Sequence, residues 1–319
     1  MSTLVFLEHH DGSIQKGSLG VLSKAAQLDP ETTAVVVGSG LDGLAEIAGN
    51  HGAKTVYLAD DASVASPLPQ PRVDVLAALI QDKGFENVLF GASVLANDIA
   101  AGLSARLDAG LNWDLNDLAM EGGELVGKRS ALGDTVQADV GWTTTPRLAL
   151  VRAGSFDPAP AGGSAQVEQV PVQVQEFSTK AQITEQDQEK ATGPSIDDAD
   201  ILVTAGRGIG SPDAFPMFEQ LAEALGGAVA TTRAVVDSGW YPYATQIGQT
   251  GKVVSPKLYI GFGVSGAIQH KVGMQSSQTI VAINKDPNAP IFEFSDMAVV
   301  GDLHSIVPQL TELVKERKG

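Results

Sequence analysis

Two glycine-rich loops carry the residues of this sequence whose types and spacing could do chemistry. Gly261, Gly263 and Gly266 fit the pattern G-x-G-x-x-G and follow a predicted strand. Glycines at these positions let the backbone approach a pyrophosphate, and the helix that follows presents free N–H groups to it. Asp286 lies 20 residues beyond Gly266, where a dinucleotide-binding domain has the acid that binds a ribose. The spacing indicates a nucleotide site, although the motif alone is equally typical of a tight turn.

The second loop is Gly206-Arg207-Gly208, which follows a predicted strand over 200–205. An arginine between two glycines can reach a phosphate or ribityl oxygen without steric hindrance. The alternative interpretation is that the segment is a surface loop with a solvated arginine. Thr231-Thr232-Arg233 follows another predicted strand, and open parallel sheets bind ligands at the carboxyl ends of their strands. The alternative for Arg233 is a surface salt bridge.

Two further segments belong to the same candidate site. Gln246–Gly251 (QIGQTG) is polar and contains two glycines, which is also typical of an ordinary loop. Ser265, Gln269 and His270 fall in the first turns after the G-x-G-x-x-G segment. A histidine near the positive end of a helix can contact an anionic ligand, and the alternative is a structural hydrogen bond.

Several classes of chemistry are disfavoured by what the 319 residues lack. There is no cysteine, which excludes disulfides, thiolate metal sites and cysteine nucleophiles. The five histidines fall at no metal-binding spacing, so we predict no metal site. Neither a P-loop nor a G-x-S-x-G nucleophile elbow is present, which disfavours a P-loop nucleotidase and a serine hydrolase.

The charge balance and the hydropathy limit the partners. The formal net charge is −17, which disfavours nucleic acid and anionic membranes because phosphate binding needs clustered Lys and Arg. The first residues, MSTLVFLEHHDG, do not resemble a signal peptide, and no apolar run is long enough to cross a membrane. We therefore expect a soluble, cytoplasmic protein without membrane insertion.

The periodicity of apolar residues predicts two α/β domains, over 1–190 and 191–319. In the first, strand and helix alternate, which is typical of a doubly wound sheet. Strands are predicted over 4–8, 34–37, 55–58 and 88–90, helices over 18–28, 41–51, 73–83 and 95–107, and short strands over 124–129, 136–139, 147–152 and 167–176. The polar stretch 182–195 is interpreted as a linker, with a hinge near 185–195.

The C-terminal domain is predicted to have a Rossmann-like parallel sheet. Its strands are predicted over 200–205, 228–231, 258–261, 279–284 and 291–294. Helices are predicted over 212–225 and 303–316, and a short helix begins within 266–273. Both glycine loops then follow strand ends, where they can face one ligand.

Residues 258–285, LYIGFGVSGAIQHKVGMQSSQTIVAINK, and their continuation to 303 closely resemble the signature of the electron transfer flavoprotein α subunit. The resemblance extends back through VTAGRGIGS, TRAVVDSGWYP and IGQTGKVVSPKLYIG, so it covers 200–319 densely. The first half matches only in general layout. The order of these elements is far more specific than one glycine motif.

The resemblance implies a heterodimer that carries one FAD, held mostly by the C-terminal FAD-binding domain of this chain. The N-terminal domain would pack against a β subunit, which would hold AMP and contact the flavin from the other side. The family takes electrons from flavin dehydrogenases, such as the acyl-CoA dehydrogenases of fatty acid β-oxidation, and passes them singly to a membrane quinone oxidoreductase. Such a carrier is not an enzyme with substrate chemistry of its own.

The resemblance also implies roles for individual residues. Arg207 would contact the pyrophosphate and ribityl chain, and Thr232 and Arg233 would lie against the isoalloxazine ring. The Thr250 hydroxyl would lie near N5, in a loop along the ring. The members of that loop are Ile247, Gly248, Gln249 and Thr250.

The remaining implied contacts lie further along the chain. Backbone amides of Ser265, Gly266, Ala267, Ile268 and Gln269 would bind the phosphates. His270 would lie at the O2 edge of the flavin, where it and Arg233 would stabilise negative charge on a flavin that has gained one electron. Asn284, Asp302 and Leu303 would hold the adenosine end.

Two alternatives compete with this interpretation. An NAD-binding dehydrogenase would use Gly261, Gly263, Gly266 and Asp286, but no acid–base group stands out for it. A nucleotide-binding regulatory protein without redox chemistry would be colourless as a holoprotein.

Overall fold

The computed structural model describes residues 2–10, 12–132, 136–185, 195–197 and 199–318. The chain forms two compact units, over 1–186 and 187–319. The predicted boundary between 190 and 191, and most of the predicted linker and hinge, lie outside the described residues.

The first unit has a mixed sheet of nine strands in the order β11-β5-β4-β1-β6-β10-β7-β8-β9. Its elements are β1 (Thr3–Phe6), β2 (His9–His10), β3 (Ser13–Ile14), α1 (Lys16–Leu28), β4 (Thr33–Gly38), α2 (Leu44–Asn50), β5 (Thr55–Asp60), α3 (Pro69–Lys83), β6 (Asn87–Gly91), α4 (Val94–Leu107), β7 (Leu111–Glu121), β8 (Glu124–Ala131), β9 (Val136–Val140), β10 (Arg147–Val151) and β11 (Gln166–Gln169). Neighbouring strands pair in parallel from β11 to β7, and β8 and β9 extend the sheet beyond β7 in antiparallel fashion.

Alternate residues of the central strands pack into two separate cores, one on each face of this sheet. Val35 and Val37 of β4 belong to one core, and Ala34 and Val36 belong to the other. Burial on both faces explains why β4 reads as a continuous apolar run. The predicted alternation of strands and helices in the first half is confirmed.

In the first unit one predicted strand was mostly wrong, and one observed strand was not predicted. Of the predicted strand 167–176, only residues 167–169 pair in the sheet, as part of β11, and Glu176–Thr179 is a 3-10 helix. The long strand β7 was missed. Leu115 and Leu118 are both buried although they lie three residues apart, because the strand has an irregularity between 115 and 117. A bulge of this kind removes the period of two by which strands are recognised.

The second unit is built on a fully parallel sheet of six strands in the order β14-β13-β12-β15-β16-β17. Its elements are β12 (Ile201–Ala205), α5 (Phe215–Leu225), β13 (Ala228–Thr232), α6 (Arg233–Val236), β14 (Gln246–Ile247), β15 (Leu258–Phe262), α7 (Ile268–Lys271), β16 (Ile280–Asn284), β17 (Met297–Val300) and α8 (Leu303–Lys318). From β12 the chain builds the sheet in one direction, and from β15 it builds in the other. The pair β12–β15 is therefore the switch point of the sheet, where parallel sheets form a crevice.

The predicted α/β class and the parallel sheet of the second unit are confirmed, with one strand misplaced. Residues 290–294 form a 3-10 helix that starts at Pro290, and the edge strand is Met297–Val300 instead of 291–294. Proline fixes a helical φ at the first turn and has no N–H to donate to a strand. Within the described ranges, no helix is long and apolar enough to span a membrane.

Candidate functional site

A cavity of about 700 Å³ lies in the second unit, at the carboxyl ends of its parallel strands. Segments that follow β12, β13, β15 and β16 contribute to its wall, together with the loop that begins in β14. The lining residues are Gly206, Arg207, Gly208, Thr232, Arg233, Ala234, Asp237, Ile247, Gly248, Gln249, Thr250, Gly263, Val264, Ser265, Ala267, Gln269, His270 and Asn284. This is the volume and the position expected for a cofactor site in an open parallel sheet.

Twelve of the sixteen residues that the sequence suggested for the cofactor line this cavity. They are Arg207, Thr232, Arg233, Ile247, Gly248, Gln249, Thr250, Ser265, Ala267, Gln269, His270 and Asn284. The lining does not include Gly266, Ile268, Asp302 or Leu303. Ile268 is exposed, Leu303 packs in the core, and the Asp302 carboxylate accepts from His304 N at 3.0 Å at the start of α8.

The two glycine loops touch each other backbone to backbone across the switch point. A Cβ at Gly206 would lie 2.3 Å from the carbonyl oxygen of Gly263, and one at Gly208 would lie 2.7 Å from the same oxygen. Gly263 has φ +61°, and its own Cβ would lie 2.8 Å from Gly208 Cα. Side chains at these three positions would separate the loops, so glycine is required for the shape of the cavity floor.

The other two glycines of the G-x-G-x-x-G motif serve packing inside the domain. A Cβ at Gly261 would lie 2.9 Å from Cε1 of Tyr259, and one at Gly266 would lie 2.3 Å from Ile291 N. Neither residue lines the cavity. Of the three glycines of the motif, Gly263 is therefore the one that contributes directly to the cavity wall.

Backbone N–H groups without a protein acceptor occur in the segment that borders the cavity at Ser265, Ala267 and Gln269. Within the part of the chain that the structure describes, the amides of residues 265–269 have no hydrogen-bond acceptor. The carbonyl of Ser265 accepts from Ile291 N at 3.0 Å, and the Val264 carbonyl accepts from Asn284 Nδ2 at 2.9 Å. These two hydrogen bonds to its carbonyl groups hold the turn in place. Clustered unpaired N–H groups form an anion-binding concavity.

The two arginines of the cavity differ in their pairing. Arg233 Nε donates to Asp237 Oδ2 at 3.2 Å, and both side chains are largely exposed. Among the described residues Arg207 has no ion-pair partner. Because Asp237 offsets the charge of Arg233, Arg207 is the cation of the cavity whose charge is not balanced by a neighbouring carboxylate.

The loop after β14 presents a hydroxyl group to the cavity. Gln246 is buried, and its Nε2 donates to Thr250 Oγ1 at 3.2 Å. Tyr243 Oη donates to the Thr250 carbonyl at 2.8 Å, and Gln249 N donates to the Gln269 carbonyl at 2.7 Å. The hydroxyl hydrogen of Thr250 has no acceptor among the described residues, so it is available to a ligand.

His270 is buried in the cavity wall and both of its ring nitrogens have protein partners. Nε2 lies 2.8 Å from Tyr259 Oη, and Nδ1 lies 3.2 Å from the Ile247 carbonyl oxygen. Burial lowers the pKa of His270 to about 4, against a weaker effect of the Ile247 carbonyl in the other direction. The imidazole is therefore neutral near pH 7.

Asp286, which an NAD site of the usual kind would use for its ribose, does not line the cavity. Its Oδ1 accepts from Asn288 N at 2.9 Å, and its own N–H donates to Asn284 Oδ1 at 3.1 Å. These bonds form a local turn after β16. The geometry gives Asp286 a structural place instead of a ligand contact.

Comparison with known proteins agrees with the layout of both units. The family model described as "Electron transfer flavoprotein domain" matches residues 3–175, and the one described as "Electron transfer flavoprotein FAD-binding domain" matches residues 195–275. The electron transfer flavoprotein subunit alpha of Mycobacterium leprae is 43% identical, with 99% of each chain covered. The chain belongs to the electron transfer flavoprotein α-subunit family.

More distant members of the family align over nearly the whole chain as well. The protein FixB of Clostridium saccharobutylicum is 36% identical over 98% of this chain and 96% of its own. A probable mitochondrial electron transfer flavoprotein subunit alpha of Caenorhabditis elegans is 35% identical over 97% of this chain and 92% of its own. The similarity to the family, which the sequence analysis placed in residues 200–319, thus extends through the N-terminal unit of this chain.

The sequence did not point to several residues that shape the site. Gln246, Tyr259 and Asp237 act through hydrogen bonds to Thr250, His270 and Arg233. Only the spacing of four between Arg233 and Asp237 could have been found in advance, since that spacing places both on one face of a helix. The other two pairs depend on how the strands and loops meet in space.

Proposed function

We propose that this chain binds one FAD in the cavity at the carboxyl ends of its second sheet and serves as an electron carrier. The FAD-binding description of the family model for residues 195–275 supports the cofactor. Bound FAD supplies reversible one-electron chemistry, and the protein supplies its position and its electrostatic surroundings. The observation that carries the proposal is the run of free N–H groups beside an unbalanced arginine in a cavity of about 700 Å³.

The phosphates of FAD fit the edge formed by residues 265–269. Free backbone N–H groups bind an anion without the cost of breaking protein hydrogen bonds. Arg207 lies between Gly206 and Gly208, whose backbone contacts Gly263 just before this edge, and it brings a positive charge that no described carboxylate offsets. Asn284 anchors the turn, and we propose that Asp302 and Leu303 approach the adenosine end through their backbones, since Leu303 has a buried side chain.

We assign the isoalloxazine ring to the part of the cavity lined by the loop Ile247–Thr250, which the bond from Gln249 N to the Gln269 carbonyl joins to the end of that edge. There the loop Ile247–Thr250 offers the free hydroxyl hydrogen of Thr250, which we assign to the ring nitrogen N5. Thr232 and Arg233 would lie on the face of the ring, and the Arg233 guanidinium would favour negative charge on it. His270 would lie at the O2 edge. It would present a neutral imidazole to the flavin, with both ring nitrogens hydrogen-bonded to the protein.

Membership of the family supports proposals for the partners. An α subunit implies a β subunit, and we propose that the heterodimer forms through the N-terminal unit, with AMP bound in β. We propose that electrons come from flavin dehydrogenases such as acyl-CoA dehydrogenases and go to a quinone oxidoreductase, with the protein in the cytoplasm. The chain then has no substrate chemistry of its own.

The test is a visible absorption spectrum of the chain co-purified with its β subunit, with the bound nucleotide released and quantified. We expect flavin bands, one FAD per α chain, and stepwise reduction by single electrons. A colourless protein that binds NAD but not FAD would overturn the proposal in favour of a dehydrogenase. A colourless protein that binds neither would favour a regulatory role.

A further inference from the structure

Tyr259 is fully buried in β15, in the middle of the second sheet, and does not line the cavity. Its hydroxyl oxygen lies 2.8 Å from His270 Nε2, and the other ring nitrogen of His270 lies 3.2 Å from the Ile247 carbonyl. A chain of hydrogen bonds thus runs from Tyr259 in the sheet through the imidazole to Ile247, the first residue of the loop Ile247–Thr250.

The acceptors and donors in this chain fix where the protons lie. A carbonyl oxygen only accepts, so Nδ1 of His270 carries the hydrogen. The neutral ring then has a lone pair on Nε2, and the Tyr259 hydroxyl must donate to it. Burial raises the pKa of Tyr259 far above its ordinary value, so the hydroxyl keeps the proton that it donates.

We propose that Tyr259 is a positioning residue of the FAD site. By donating to Nε2 it holds His270 as the Nδ1–H tautomer, and through that tautomer it anchors the Ile247 carbonyl and the loop that carries Thr250. This inference rests on the proposed function, because the loop has the flavin ring as its partner.

The surrounding residues support a fixed position for the tyrosine. A Cβ at Gly261 would lie 2.9 Å from Cε1 and 3.2 Å from the hydroxyl oxygen of Tyr259, so only glycine at 261 leaves room for this ring. The Gly248 segment lies against the same helix as His270, since a Cβ at Gly248 would lie 2.8 Å from the Gln269 carbonyl oxygen. The loop is therefore attached to α7 at Ile247 by a side chain and at Gln249 by the backbone.

The arrangement also determines what His270 offers to a cofactor. Nε2 can donate to a flavin only if it acquires a proton and releases Tyr259. While the bond to Tyr259 persists, the cavity wall contains a neutral imidazole without an N–H directed into the cavity. Tyr259 thereby determines whether His270 acts as a hydrogen-bond donor to the flavin.

The test uses the full chain with its β subunit, labelled with ¹⁵N in histidine. The chain has only five histidines, and a His270→Asn sample identifies the signal of His270. In the wild type we expect a protonated Nδ1 and an unprotonated, hydrogen-bonded Nε2 at pH 7. An Nε2–H tautomer or an imidazolium ion would overturn the inference without any variant of Tyr259.

The variant Tyr259→Phe removes the hydroxyl and keeps the ring. We expect the Nε2 signal to move to the position of a free acceptor, and amide hydrogen exchange in residues 248–250 to accelerate about fivefold, the effect of one hydrogen bond. We also expect the potential of the first one-electron reduction to change. Tyr57→Phe is the matched control, because Tyr57 is another buried tyrosine but belongs to the first unit.

The outcomes separate this inference from the proposed function. If the wild type binds no FAD, the proposed function fails, and the ¹⁵N signals still decide the role of Tyr259 towards His270. If FAD is bound and Tyr259→Phe leaves the Nε2 signal, the exchange rates and the potential at their wild-type values, the positioning role of Tyr259 is refuted.

Discussion

The Gln246 amide donates to the Thr250 hydroxyl oxygen at 3.2 Å, and the hydroxyl hydrogen of Thr250 has no acceptor among the described residues. Gln246 is buried at the edge of the sheet, so its direction is fixed by packing. The pair turns a loop threonine into an oriented hydrogen-bond donor.

Gln246→Met removes the amide and keeps a side chain of similar length. We expect a loss of about 1 kcal/mol in the free energy of unfolding, the net value of one hydrogen bond. The first-electron potential should also shift, because Thr250 no longer has a fixed direction. Spectroelectrochemistry of Gln246→Met, Thr250→Val and the double variant measures the coupling. Strictly additive shifts would show that the pair does not act on the flavin together.

Asp237→Asn should raise the first-electron potential with little effect on stability. The Arg233–Asp237 pair is largely exposed, and such pairs contribute about 0–1 kcal/mol to folding. Removing the carboxylate leaves the charge of Arg233 unbalanced beside the cavity, which favours negative charge there. Arg233→Ala should lower the potential and retain much of the FAD binding. Glu312→Gln is the control, since it changes the same charge in an exposed pair on α8. An equal shift from Glu312→Gln would attribute the effect to net charge alone.

Arg207→Ala should weaken FAD binding about tenfold or more, since a charge-assisted bond to phosphate contributes roughly 1.5–3 kcal/mol. The side chain is exposed and has no described ion-pair partner, so the midpoint of urea unfolding without FAD should not change. Fluorescence titration of FAD into the stripped heterodimer measures the change. Arg317→Ala in the last turn of α8 serves as control, and equal affinity of Arg207→Ala and the wild type would remove Arg207 from the phosphate site.

The stability of the second unit should fall with acidification between about pH 6.5 and 4. His270 has a folded-state pKa of about 4 and an ordinary value of 6.5, so in this window the unfolded chain binds more protons than the folded one. The unfolding free energy therefore rises with pH through the window, by about 3 kcal/mol from this group. Urea unfolding of the wild type and His270→Gln at several pH values tests this. If both proteins have the same pH slope, His270 is not buried as a neutral ring.

Gly263→Ala should destabilise the second unit more than Gly239→Ala. Both glycines have positive φ, +61° and +69°, so both variants incur the strain of a left-handed residue, about 1–2 kcal/mol. At Gly239 no atom of the described residues lies within 4 Å of the added Cβ, whereas at Gly263 the backbone of Gly208 lies 2.8 Å away. The difference between the two variants in thermal unfolding isolates the contact between the loops. Equal losses would mean that the loops can separate freely.

Strong local patterns in the sequence predicted most of the elements of the fold and most of the segments of the candidate site. The run around Val35–Val37 and the apolar spacing of α5 correspond to elements with one obvious burial pattern. The two-residue strand β14 has no such pattern, because its place in the sheet depends on pairing with Thr231 and Thr232. The prediction of a strand over 291–294 was wrong because it relied on the apolar residues there and gave too little weight to Pro290, which favours the start of a helical turn.

The site was predictable at the level of segments but not of partners. Loops that follow parallel strands converge by topology, so the sequence position of Arg207, Arg233 and Gln249 was enough to group them. The link between Tyr259 and His270 spans a strand, a turn and a helix, and nothing in the spacing of the two residues predicts it. The glycine motif was assigned to ligand binding as a whole, yet Gly261 and Gly266 make room for Tyr259 and Ile291.

The contact between Gly206, Gly208 and Gly263 limits how this domain can change in evolution. In a side-chain contact, a larger residue on one side can be accommodated by a smaller one on the other. Here the opposing atoms are backbone on both sides, so no second substitution can restore the space that a first one occupies. These three positions therefore lack compensating partners, and variation in the cofactor site is confined to the residues between and beyond them.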